Sequence, residues 1–168
     1  MRMAVLGLFL LLCTGPVQAQ GWSTFSPPGG NFSVQMPGTP TSQQSVEHSP
    51  VGNVPTWQFI LNAGGWSYAV AYSDLPQVAV LLGGAGSIFD EAKQSLLQQA
   101  NATPVSYFDT TTSGKPAKSL TFTVPGGGQG QALLVLDGTR LYVVAATPLS
   151  ASAPAADASS FISSFRLQ

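Results

Sequence analysis

One histidine stands in the chain, His48, inside the polar stretch Val46-Glu47-His48-Ser49-Pro50. A Ser-His-acid hydrolase would have to be built around it, and a general base works only when packed neighbours hold it in place, whereas these neighbours read as loop. Gly86-Ser87-Ile88 lacks the second half of a nucleophile elbow. Asp90-Glu91 is the only adjacent pair of acids, and consecutive residues on a helix point apart, so the two would not share a proton. Asp74, Asp109 and Asp137 would need to converge to hold calcium, yet no EF-hand loop is present. Gly84-Ala85-Gly86-Ser87-Ile88-Phe89 matches two glycines of a dinucleotide fingerprint and fails at the third, and Gly126-Gly127-Gly128-Gln129-Gly130 has no helix after it. Turns, caps and flexible connections account for these groups. No catalytic, cofactor or metal residue is expected, and a hydrolase using His48 ranks last among the functional readings.

What the chain holds in place of reactive groups is a concentration of aromatics. Trp57, Phe59 and Leu61 alternate with polar residues, and after Gly64-Gly65 come Trp66, Tyr68, Val70 and Tyr72, alternating with Ser67, Ala69, Ala71 and Ser73. Pairing Leu61 with Trp66 across the turn would set Phe59 against Tyr68 and Trp57 against Val70, a cross-strand ladder with small residues on the opposite face. This ladder is either core under a helix or, in part, an exposed platform for a partner. Trp57, Trp66, Tyr68 and Tyr72 are therefore the candidate partner-binding residues.

The beginning of the chain indicates export. Arg2, the apolar run from Met3 to Cys13 and the small-residue site Val17-Gln18-Ala19 make a secretory signal, expected to be cleaved after Ala19. The run is too short for a spanning helix, which needs about 20 residues, and no second apolar run of that length follows. Cys13 is the only cysteine, so the alternative is a lipoprotein signal, although Leu12 stands where a small residue is usual. Cleavage after Ala19 would leave no cysteine for disulfides, thiol catalysis or zinc. The expected boundaries are 1–19 signal peptide, 20–30 N-terminal tail and 31–168 a single domain.

Charge is sparse, 8% of residues against about 25% in ordinary domains. Lys93, Lys115, Lys118, Arg140 and Arg166 face seven acids in the mature chain. That balance cannot neutralise a run of phosphates or form a polybasic membrane patch, so nucleic acid and an anionic membrane surface are set aside as partners. The partner left open is an unknown protein or envelope component.

Such a chain must position its aromatics with strands and two helices. Asn31 to Gln35 is the first clear strand, and an edge strand is expected near Gln43 to Val46. A helix is expected to start after Gly83-Gly84-Ala85-Gly86, capped by Ser87 with Asp90, and to stop at Pro104. A second helix is expected from Pro154 to Phe165, burying Ala158, Phe161, Ile162 and Phe165, with Asp157 early and Arg166 late. Between them lie strands from Val105 to Thr111, Lys118 to Val124, Gly130 to Leu136 and Arg140 to Ala146. The last two join at Asp137-Gly138 and are apolar on both faces, so both faces must be covered. The fold class is α+β, a mainly antiparallel sheet covered by helices.

FSVQMPGTP near the start, the strand Tyr68-Ala-Val-Ala-Tyr72 and the closing Phe161-Ile-Ser-Ser-Phe165 resemble the PsbP-like proteins, α/β/α sandwiches of photosynthetic lumens and of bacterial envelopes, secreted or lipid-anchored. The resemblance runs from Phe25 to Phe165. It implies a non-enzymatic accessory or binding role, without naming a ligand. The leading expectation is an exported binding or accessory protein; the second is a stabilising subunit of an envelope assembly.

Overall fold

The computed structural model describes residues 21–49 and 52–168; the expected signal sequence and Cys13 lie outside them. Along the described chain run β1 (Ser23–Phe25), β2 (Phe32–Met36), β3 (Thr41–Ser49), β4 (Gly52–Ala63), β5 (Trp66–Asp74), α1 (Gln77–Gln99), β6 (Thr103–Thr112), β7 (Lys115–Thr123), β8 (Gln129–Asp137), β9 (Arg140–Pro148), α2 (Ala155–Ser164) and β10 (Arg166–Leu167). Strands β3-β4-β5-β9-β8-β7-β6 form one antiparallel sheet in that order, and β1-β2-β10 form a small second sheet. The α+β class is as expected from the sequence. Residues 21–30, read as a tail, contribute β1 and the Pro27–Gly30 turn to the folded layers.

Period-2 alternation decides what each face of the large sheet carries. Trp57, Tyr72, Tyr142 and Val135 pair in one row across β4, β5, β9 and β8, and Phe59, Val70, Val144 and Leu133 in the next. This aromatic face is sealed by α2 and the small sheet, which bring Phe32, Val34, Ala158, Phe161 and Phe165 into one core. The opposite face packs Leu134, Leu136, Leu120 and Phe122 beneath Ile88, Phe89 and Leu96 of α1. The doubly apolar β8–β9 hairpin is thus covered on both sides, as its sequence requires.

The ladder register differs from the expected one by two residues. Ala63 pairs with Trp66, so Leu61 meets Tyr68, Phe59 meets Val70 and Trp57 meets Tyr72. Gly64 and Gly65 have φ of 58° and 83°, and two central residues with positive φ make a two-residue turn whose twist matches the strands, so pairing begins immediately beside it.

Helix α1 starts at Gln77, ten residues before Ser87, which sits inside the helix and caps nothing. The glycines interrupt a longer helix: Gly84, at φ 68° and ψ 165°, breaks the helical backbone and splits α1 into two segments. Its C-terminus is Gln99, capped by Ala100, so Pro104 does not stop it but lies within edge strand β6. Arg166 lies beyond α2, yet its guanidinium donates to the carbonyls of Ser163 and Phe165 at 2.7 and 2.6 Å, closing the helix end.

Candidate functional site

The four aromatics singled out in the sequence do come together, but largely inside the protein. Trp66, Tyr68 and Tyr72 are 2%, 1% and 4% exposed, so those three side chains form core instead of an open platform. The cause is the side of the sheet they share: α2 and the small sheet close over it. Trp66 Nε1 donates to the Pro154 carbonyl at 3.1 Å, and Tyr68 meets Phe161 edge-on with ring centres 5.0 Å apart. Trp57 is half-buried and stacks on Tyr72 at 4.8 Å, while the Arg140 guanidinium lies 4.6 Å from the same Tyr72 ring. Burial, reinforced by Asp157, pushes the Tyr68 hydroxyl up to about 12. Burial also raises Tyr72, against the pull of Arg140.

The ionisable groups are dispersed. Asp74 receives two hydrogen bonds from Arg140, which also donates to the Gly29 carbonyl at 2.7 Å and so ties the N-terminal turn to the sheet. Asp109 pairs with Lys118 and Asp137 with Lys115, each at 2.7 Å, so the three aspartates considered for calcium serve separate cations. Among the described residues no three His, Cys, Asp or Glu side chains gather in a way that could hold a metal ion. His48 is exposed on β3, and its Nδ1–H donates to Asn53 Oδ1 at 2.7 Å across the β3–β4 hairpin.

Tyr107 shows a different imbalance. Its hydroxyl is buried without a hydrogen-bond partner, and Lys93 and Lys118 approach its ring at 4.2 and 5.1 Å. Burial, the charge of the Asp90 carboxylate and its attraction for the hydroxyl proton, and the charge of Asp109 push this hydroxyl up to about 12. The cluster ties α1 to the β6–β7 end of the sheet.

A cleft of about 1020 Å³ has room for a ligand. It exists because α1 lies over β7, β8 and the adjoining side of β9 and leaves the same face of β3, β4 and β5 without a helix above it. Its floor is the small-residue face of β5, Ser67, Ala69, Ala71 and Ser73, continued by Thr56 and Gln58 of β4 and by Val143, Ala145 and Thr147 of β9. Its wall is the α1 side bearing Ser87, Glu91 and Ser95. Leu82 and Leu149 line it while 78% and 59% exposed. Glu47 and Glu91 are its ionisable residues, and no aromatic or cationic side chain lines it. In the sequence, the Ser/Ala alternation opposite the aromatic ladder marks this floor; what the sequence lacked was the path of α1. No helix among the described residues is long and apolar enough to cross a membrane.

No protein-family model and no curated protein matches the chain. Among solved structures, the chain is similar to cyanobacterial PsbP (CyanoP) from Synechocystis sp. PCC 6803, with a TM-score of 0.59 and 16% sequence identity, covering 94% of this chain and 99% of that one. The chain therefore has a PsbP-like fold.

Proposed function

We propose, with the PsbP-like fold as premise, that this chain is an exported, non-enzymatic accessory protein that binds another component of an envelope or extracellular assembly. The observation that carries the reading is the half-covered sheet face: α1 shields β7, β8 and part of β9, while a large cleft stays open over β3, β4 and β5. Support comes also from the dispersal of the ionisable groups, since three aspartates are committed to separate cations and His48 to Asn53. Enzymes instead gather titratable groups whose environments set their pKa values for a task. The secretory signal read in the sequence supports export.

Two measurements test this. Mass analysis of the mature protein is expected to find an N-terminus at Gln20; a diacylglyceryl-modified Cys13 would instead attach the protein to a membrane. Formaldehyde crosslinking in the intact source cells, followed by size separation, is expected to place the protein in one discrete assembly. A protein that stays monomeric under those conditions would overturn the accessory reading.

A further inference from the structure

We infer that the open cleft receives an amphipathic α-helix of the partner, carrying small hydroxyl-bearing residues among apolar ones on its buried face and Lys or Arg along its flanks. The inference rests on the accessory reading and adds the chemistry of the partner.

Size comes first. With α1 already over part of β9, the three uncovered strands, about 4.8 Å apart, leave roughly 10 Å between the axes of β3 and β5, which admits one helix about 10 Å across beside α1 and not two. Along β9, the floor from Leu141 to Leu149 runs about 26 Å at 3.3 Å per residue, the length of a helix of about 17 residues. A docked helix would complete the second helical layer that α1 begins.

Chemistry narrows the occupant further. A sugar is recognised by stacking on aromatic faces, and a phosphate or carboxylate by cations; the cleft lining has neither. An acyl chain would leave the hydroxyls of Ser67, Ser73, Thr56 and Thr147 facing a group that cannot hydrogen-bond, which is unfavourable once water is gone. A helix supplies side chains that can satisfy them, and the small floor lets those side chains reach the sheet. Glu47 on β3 and Glu91 on α1 stand on opposite sides of the cleft and are both exposed, so cations on both flanks of the helix would find a partner. Leu82 and Leu149 offer apolar contacts at the lips, the arrangement by which grooves hold amphipathic helices.

The test places a photo-crosslinking amino acid at Ala71 in the cleft floor or, as a control, at Ser160 on the exposed side of α2, in the full chain within the source cells. Adducts are digested and sequenced. The expected result is an adduct from the Ala71 position alone, whose crosslinked segment has apolar residues at helical spacing and Lys or Arg beside them. Adduct yield should fall at least fivefold when Glu47→Lys and Glu91→Lys are combined, with the thermal midpoint unchanged. A lipid or glycan adduct, a segment without helical periodicity or basic residues, or a yield unaffected by the charge reversal would overturn the inference. If the chain enters an assembly by formaldehyde crosslinking but Ala71 forms no adduct, the helix inference fails and the accessory reading stands. If it enters no assembly, the accessory reading itself fails.

Discussion

Tyr107 illustrates how a single atom can work against its own fold. A buried hydroxyl without a well-formed hydrogen bond, with only the Asp90 carboxylate drawing on its proton, has replaced its hydrogen bonds to water incompletely, a loss of at most about 1–3 kcal/mol. Tyr107→Phe keeps the ring between Lys93 and Lys118 and removes that atom, so the variant is expected to be as stable as the parent or up to about 1 kcal/mol more stable by urea denaturation. A fall of stability would mean that the hydroxyl has a partner in solution. The same phenol belongs to an alkaline sensitivity. Tyr68 and Tyr107 have hydroxyls raised from 10.0 to about 12 in the folded protein, so the folded state binds these protons more tightly than the unfolded chain. Their contribution is complete below pH 10 and is lost as pH rises through 12. Melting temperature should therefore hold level up to about pH 10 and drop beyond it, in step with the ultraviolet titration of tyrosine. The aromatic pattern was legible in the sequence at this scale, because strand alternation puts Trp57, Tyr68 and Tyr72 on one face both in the expected register and in the observed one, which differ by two residues. Whether that face meets water was not legible, since the covering residues Phe32, Phe161 and Phe165 come from remote segments of the chain.

At the scale of elements, the glycine-rich stretch divides a helix that the residues on both sides continue. Gly84 adopts a backbone conformation almost confined to glycine, while a Cβ built there meets nothing within 4 Å. Gly84→Ala should accordingly cost about 1–3 kcal/mol through backbone strain alone, measured by chemical denaturation, with the core unchanged by near-ultraviolet circular dichroism. A cost-free substitution would mean that α1 straightens without penalty. Reading Gly83-Gly84-Ala85-Gly86 as a helix start was reasonable from composition, because glycine disfavours helix interiors by about 1 kcal/mol relative to alanine. A helical segment does begin just after the break at Gly84; what composition did not show is the segment from Gln77 that precedes it, whose Val80 packs with the core of Leu134, Leu136 and Leu141. The ladder register was missed for a comparable reason, since backbone angles at Gly64 and Gly65, and not side-chain pattern, choose between two pairings that leave the same residues on the same face.

At the scale of the whole molecule, seven strands are arranged as two runs of consecutive hairpins, β3-β4-β5 and β6-β7-β8-β9, joined where β5 meets β9. The sequence carried the hairpin signals well and could not carry this joint, which depends on residues far apart in the chain. The small sheet is more remote still, because Arg166 pairs with Ser33 and Leu167 with Phe32, closing a loop of about 130 residues and therefore among the entropically dearest contacts to form early. That places β10 in the late part of folding. Leu167 is half-buried against the aromatic core, so Leu167→Ala should lower stability by about 1–2 kcal/mol. In stopped-flow experiments nearly all of that change should appear as faster unfolding, with the refolding rate unaltered; a slowed refolding arm would put β10 in the folding nucleus. The β2–β10 pairing then acts as a kinetic latch: it governs how long the native state survives once formed, and has little influence on how quickly the chain arrives there.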